Sequence, residues 1–308
     1  MWWKKYMTSL KNKRILITGG AGSIGQELVR QLCVKNKIFI LDTNETGAFD
    51  LTEELKQKGY WVHCRIGDVR QKETVHDVFS DFKPEVVFHA AAYKHVTPME
   101  WYPEEAVSVN IQGTLNVVRE AKKWETLEKF VYISTDKVVN AKSVMGASKL
   151  MGEIIVRNQD HRFVAVRFGN VMGSRGSVLP IWQGQMDRGE PLTVTDPKAE
   201  RYMMSIPQAV TLIIEAAQKG TDGEIYILDM GERINVLSFA REIVERSNYH
   251  TKPVLPHTGG SGGGQIAVEG APISIIGLRP GEALIEELMT EEEKKRAKKT
   301  GNFWIIQK

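Results

Sequence analysis

RILITGGAGSIG, residues 14–25, is the stretch from which the rest of the chain can be read. Arg14, Ile15, Leu16, Ile17 and Thr18 make a short apolar strand. Behind it Ile24, Leu28, Val29 and Leu32 recur at helical spacing. A strand, a glycine turn and a helix in that order form the context that a dinucleotide fingerprint requires. Gly19 permits the tight turn, Gly22 lets the backbone approach a pyrophosphate, and Gly25 lets the helix pack closely on the strand. Ser23 and Ile24 open that helix, whose free N–H groups face the phosphates. The competing reading is a glycine turn with no ligand.

Working outward, residues 37–41 (KIFIL) make a second strand, with Asp42 at its end, 23 residues after Gly19. An acid there accepts hydrogen bonds from the adenosine ribose and repels a 2′-phosphate, which favours NAD, with NADP as the alternative. It would equally cap a helix starting near Glu45. Residues 60–66 read as a third strand, followed by Gly67, Asp68 and Val69. Here Asp68 either meets the adenine amino group or caps a helix over 71–82. Residues 85–89 are the fourth strand. It ends in His89, a cofactor-binding candidate, and runs into Ala90, Ala91 and Ala92, small enough for a cofactor to lie against the backbone. Packing alone would explain the alanines as well. A long helix over 103–123 contains Asn110 between Val109 and Ile111, either a satisfied core amide or a group that fixes nearby backbone. Residues 129–133 and 163–167 are the fifth and sixth strands.

Six strand–helix alternations predict an α/β fold with a doubly wound parallel sheet of the Rossmann type. Sites in such sheets lie beyond the carboxyl ends of the strands. After Phe168 the pattern turns irregular, with a helix over 205–219, a short strand over 224–228, a helix over 236–246, a glycine-rich loop over 257–264 and a charged helical segment over 291–299. The expected division is a dinucleotide-binding domain from 1–168 and 205–229. A smaller, mostly C-terminal substrate-binding domain takes 169–204 and 230–308.

The 308 residues carry a net charge of only +3, with 42% hydrophobic and 26% charged residues, which gives no reason to expect nucleic-acid binding. Cys33 and Cys64 lack metal-ligand spacing and fit a reducing cytoplasm. Trp2, Trp3, Tyr6 and Met7 suggest an amphipathic turn that packs on the body or a subunit neighbour. No window reaches the ~18 apolar residues of a spanning helix, so a cytoplasmic protein without a membrane span is expected.

Residues 134–149, STDKVVNAKSVMGASK, hold the chemistry. Thr135, Asp136 and Lys137 place a hydroxyl, a carboxylate and an amine in succession at a strand end. Adjacent charges at a strand end are expensive to bury without use. Met145 and Lys149, four apart, share one helix face.

TGGAGSIG, STDK, VMGASK, RFGNVMGSRGSV, TDP with a nearby arginine, and GLRPGE together resemble the extended short-chain dehydrogenase/reductase superfamily over nearly the whole chain. Within it they resemble the polysaccharide-biosynthesis nucleotide-sugar 4,6-dehydratases that act on UDP-N-acetylglucosamine. Met145 stands where the superfamily has its acid/base tyrosine in Tyr-x-x-x-Lys. The methionine resembles the C5-retaining branch, which includes larger membrane-anchored enzymes, and the chain resembles their catalytic part alone. Ala283 stands where the family commonly has lysine.

The resemblance implies oxidation of the sugar at C4, loss of water across C5 and C6, and hydride return to C6, for surface-glycan or amino-sugar synthesis. It implies Lys137 as the C5 base and Asp136 as the acid at the C6 oxygen, with Lys149 on the nicotinamide ribose. The base must then be neutral and the acid protonated, against their usual pKa values of about 10.4 and 3.9. A direct salt bridge between them would push both the wrong way. Because a thioether takes no proton, the C4 hydroxyl proton falls to Asp136, to Lys149 or to a water held by Thr135. Lys94, Asn170, Arg175, Arg201 and Arg279 are the substrate candidates, the arginines because a planar guanidinium bonds two phosphate oxygens at once. Each arginine alone would serve a surface ion pair equally well. A homo-oligomer follows by resemblance only. A 4-epimerase and a non-catalytic NAD(P)-binding regulator are the alternatives.

Overall fold

In the computed structural model, residues 10–247, 249, 266–267 and 272–308 are described. The N-terminal aromatic cluster and the 257–264 loop lie outside them. Strands β1 (Arg14–Thr18), β2 (Lys37–Asp42), β3 (Val62–Ile66), β4 (Val86–His89), β5 (Lys129–Ile133) and β6 (Phe163–Arg167) pair in parallel in the order 3-2-1-4-5-6. Ile225–Leu228 continues the sheet parallel to β6. Every residue of β4, β5 and β6 is buried, the mark of strands covered on both faces. The α1 (Ser23–Leu32), α2 (Glu45–Gln57) and α3 (Lys72–Phe82) helices lie in the crossovers.

The sequence assigned residues 230–308 to the smaller domain, and the structure corrects this. Phe303–Ile306 pairs antiparallel with Ile225–Leu228, and Lys298–Thr300 closes the sheet edge beside it. Phe303 and Ile306 are fully buried there, which anchors the C terminus to the large sheet. The charged helix is correspondingly shorter, Glu291–Arg296, with a Thr290/Glu293 capping box. A separate core of Trp182, Leu192, Val194, Val236, Ala240 and Ile273 forms the smaller lobe.

The predicted 103–123 helix is continuous but changes its winding. A π-helical stretch, Val107–Gly113, separates Pro103–Ala106 from Thr114–Lys122. Such bulges re-aim side chains, and here Asn110 is the one re-aimed. Its Oδ1 accepts from the Tyr93 N–H at 2.8 Å, and its Nδ2 donates to the Tyr93 carbonyl at 3.0 Å and to Ser148 at 2.9 Å. Asn110 is therefore both a buried, satisfied amide and a group that fixes the Tyr93 backbone.

Candidate active site

The carboxyl edge of the sheet and the smaller lobe enclose a cleft of about 1000 Å³. One part of its wall is the glycine turn. Gly19 sits at φ +71°, and a Cβ there would stand 2.6 Å from the Ala91 nitrogen, so no other residue fits both the turn and the close approach to the end of β4. Gly22, Ser23, Ile24, Gly25 and Ala90 line this part of the cleft. Gly22 is the N-cap of α1 and no side chain caps the helix, so its first-turn N–H groups remain available to an anion.

Several residues assigned to the cofactor stand behind that surface. The Asp42 carboxylate accepts from the Ala21 N–H at 2.8 Å and from the Asn44 N–H at 2.9 Å, tying the glycine turn to the end of β2. Asn44, not Asp42, caps α2. Asp68 is paired with Arg70 at 2.6 Å and bonds the Arg70 N–H, rather than capping α3. Val69 is buried beneath Gly113, and Ala91 presses on Gly19. None of these four lines the cleft.

His89 departs furthest from expectation. It is fully buried between β1 and the helix that follows the π stretch. Its Nδ1 lies 2.6 Å from the Thr18 hydroxyl and its Nε2 lies 3.0 Å from the Thr114 hydroxyl. Thr114 gives its own proton to the Asn110 carbonyl, so His89 donates from Nε2. Burial, with the Lys149 ammonium nearby, pushes its pKa down to about 3. The imidazole is a neutral core bridge.

The chemical cluster gathers at the end of β5. Thr135 caps a single 3₁₀ turn, Asp136–Val138. That turn brings Asp136 and Lys137 into the cleft wall beside Asn170. The Asp136 carboxylate is buried, and its Oδ1 accepts from Lys137 Nζ at 2.9 Å and from the Thr135 hydroxyl at 3.0 Å. Lys137 also meets Asn170 Oδ1 at 3.1 Å and Glu286 Oε1 at 3.0 Å. Burial alone would lower its pKa, but the two carboxylates outweigh burial and raise it. The direct ion pair that the chemistry was expected to avoid is present.

Glu286 was not among the expected site residues. It is buried and lines the cleft. Burial raises its pKa, Lys137 opposes, and the neighbouring Asp136 carboxyl raises it further, to about 7. The only sequence signal was an acidic pair in the irregular IEEL segment, indistinguishable there from surface charge. It reaches the site because residues 282–286 are strapped to Glu200–Arg201. The Glu200 N–H donates to the Leu284 carbonyl at 3.1 Å, and Ile285 bridges to Glu200.

Arg201 makes that strap, and although it lines the cleft its guanidinium is taken up by protein acceptors. Its guanidinium donates to the carbonyls of Leu284 at 2.8 Å and Ala283 at 2.7 Å, pairs with Glu282 at 3.1 Å and lies 3.4 Å from Glu286. Arg175 is also re-sited. Its N–H donates to Ser23 Oγ at 3.0 Å and its guanidinium bonds the Ala21 carbonyl, which places it on the glycine turn. Lys94 holds it there through the Arg175 carbonyl at 2.7 Å, and burial followed by the Lys137 charge lowers the Lys94 pKa. Arg279 is exposed on the cleft wall, with no ion pair from its guanidinium among the described residues.

Ser143 caps the Val144–Arg157 helix and so sets Met145 and Lys149 on the cleft. Met145 packs with Met99 and Ala106, a core role that also shapes the wall. Lys149 Nζ donates to the Ile133 carbonyl at 2.6 Å and lies over the Tyr132 ring. Burial pushes its pKa down to about 7.

A glycine turn with an open helix terminus, a buried lysine and a buried acid–base cluster thus share one cleft at the carboxyl edge of the sheet. Residues 15–308 match the family described as polysaccharide biosynthesis protein. The chain belongs to that family.

Its relatives include the capsular polysaccharide biosynthesis protein CapD of Staphylococcus aureus, 41% identical over 92% of this chain and 46% of that protein. The chain thus spans about half the length of such curated relatives. A UDP-glucose 4-epimerase of Rickettsia bellii is 33% identical over 96% of this chain and 83% of its own length. The solved structure of Pen from Bacillus thuringiensis superposes with a TM-score of 0.85 at 33% identity, covering 97% of this chain and 89% of that one. Solved structures that share the fold at 19–22% identity include several with NAD bound. No helix among the described residues is long and apolar enough to cross a membrane.

Proposed function

We propose that this chain is an NAD-dependent 4,6-dehydratase of UDP-N-acetylglucosamine or a close UDP-sugar, serving surface-glycan synthesis. The observation that carries the reading is the Asp136–Lys137 pair, two proton-carrying groups of opposite kind on the wall of the cleft that holds the glycine turn. C4 oxidation alone does not need such a pair, whereas removing a C5 proton and expelling a C6 hydroxyl does. NAD would supply a reversible hydride acceptor for C4 and donor for C6.

The chain's own groups divide the remaining work. The glycine turn and the α1 terminus take the pyrophosphate, with Arg175 fastened over the turn. Lys149 serves the nicotinamide ribose, and Met145 shapes the wall without taking a proton. Asp136 takes the C4 hydroxyl proton and later gives it to the C6 oxygen. Lys137 acts at C5. Arg279 meets the diphosphate, and Asn170 orients Lys137 toward the sugar.

A 4-epimerase is the second reading, supported by the Rickettsia relative. Against it, epimerisation exchanges a proton only at the C4 oxygen and leaves the second proton-carrying group, Lys137, without a task. Incubation with UDP-N-acetylglucosamine and mass analysis of the product separates the two. Dehydration gives a product lighter by one water, and an unchanged mass with an altered sugar sinks the dehydratase reading in favour of epimerisation.

A further inference from the structure

Asp136 and Lys137 are paired in the form opposite to the one elimination needs, and Glu286 sits where it could relieve that pairing. Lys137 Nζ lies 2.9 Å from Asp136 Oδ1 and 3.0 Å from Glu286 Oε1, so one ammonium is held between two buried carboxylates. The second oxygens of the same carboxylates, Asp136 Oδ2 and Glu286 Oε2, are buried with no hydrogen-bond partner. A buried acceptor left open in this way is costly unless a proton or a ligand fills it.

We propose that Glu286 is the proton acceptor that converts Lys137 from ammonium to free amine, so that Lys137 can act as base at C5. This rests on the dehydratase reading above.

The steps balance. The C4–OH bond releases its proton to Asp136 as the C4 hydride leaves for NAD. Neutral Asp136 no longer stabilises the ammonium, so an Nζ–H bond of Lys137 breaks and an O–H bond forms on Glu286. Free Lys137 then takes the C5 proton, Asp136 gives its proton to the C6 hydroxyl, the C6–O bond breaks, and water leaves. Hydride returns to C6, Lys137 returns the proton to C5, and Glu286 gives its proton back to Lys137. Every group ends as it began.

The surroundings suit an acceptor of this kind. Arg201, from the neighbouring strand, lies 3.4 Å from Glu286 Oε1, but Glu282 and the carbonyls of Glu200, Ala283 and Leu284 share its charge. Lys94 is a further cation nearby, and the charge of Lys137 helps to lower its pKa. Burial and the Asp136 carboxyl together bring Glu286 to about 7, within reach of a proton near neutrality.

The test uses Glu286→Gln, isosteric but unable to accept a proton, beside Glu286→Asp, which can. In heavy water with UDP-N-acetylglucosamine, the Gln variant should lose C5 hydrogen exchange and water loss by about 10²-fold or more. C4 oxidation, read as NADH absorbance, should fall far less, and the Asp variant should recover part of the loss. Water loss within threefold of the parent in the Gln variant overturns the proposal. A parent that oxidises or epimerises the sugar without losing water instead overturns the dehydratase reading. Independently of turnover, carboxyl-¹³C spectra of the unmodified protein should show one glutamate titrating near pH 7, identified by its disappearance in the Gln variant. Titration of that carboxyl below pH 5 refutes the proton-acceptor role whatever the reaction.

Discussion

At the level of single residues, the difference between Asp136 and His89 shows what burial decides. Both are polar residues at or just beyond strand ends. Asp136 reaches the cleft wall because the turn after β5 carries it there, whereas His89 is still within β4 and points into the layer between sheet and helix. Asp136→Asn keeps the shape but cannot receive the C4 proton. We expect water loss to fall by about 10²–10⁴-fold, with NADH formation falling as well. Unaltered NADH formation in that variant would rule out the double role of Asp136.

His89 carries a pH prediction instead. Its folded pKa lies near 3 against 6.5 for an ordinary histidine, so between those values the unfolded chain binds a proton that the folded one refuses. Its contribution is therefore intact above pH 6.5 and is lost as pH falls toward 3, at up to about 1.4 kcal/mol per pH unit. Urea unfolding at a series of pH values should show a shallower acid limb for His89→Gln than for the parent, and identical limbs would contradict this.

At the level of elements, the π stretch and the 282–286 strap position the site. The π winding lets Asn110 hold both backbone groups of Tyr93, next to Lys94. Asn110→Ala leaves that N–H and carbonyl without partners, which should cost about 1–3 kcal/mol in chemical denaturation and loosen the loop after β4. A variant as stable as the parent would mean that water replaces the amide at no cost. The sequence showed a polar residue inside an apolar helix, but not the change in winding that aims it. An extra backbone residue per turn alters no side-chain pattern strongly enough to be read.

For the molecule as a whole, the C terminus completes the sheet rather than the smaller lobe. Arg167, at the end of β6, joins Glu153 at 2.6 Å and Glu293 at 2.9 Å, so a buried ion network also ties the last helix to the sheet. Removal of residues 298–308 uncovers Ile225–Leu228 and loses the burial of Phe303 and Ile306, each worth roughly 1.5–3 kcal/mol. That is a large share of the 5–15 kcal/mol typical of a domain. The shortened protein should melt well below the parent in calorimetry, and an unchanged melting temperature would show that the terminal hairpin is dispensable.

The sequence by itself determined the strand–glycine–helix unit, the doubly wound parallel sheet, and the placing of Asp136, Lys137, Met145 and Lys149 at the same edge of the sheet as the glycine turn. These follow from spacing along one stretch of chain, where periodicity and glycine stereochemistry act over a few residues. What only the tertiary structure decided is which charges meet across long separations. Arg201 is bound to a loop some eighty residues later, Arg175 is fastened to the glycine turn, and Glu286 joins Asp136 and Lys137. An arginine free for a phosphate and an arginine consumed by carbonyls look the same in a sequence, because the energy of a buried charge depends on neighbours that the folded chain alone brings within 3 Å or so.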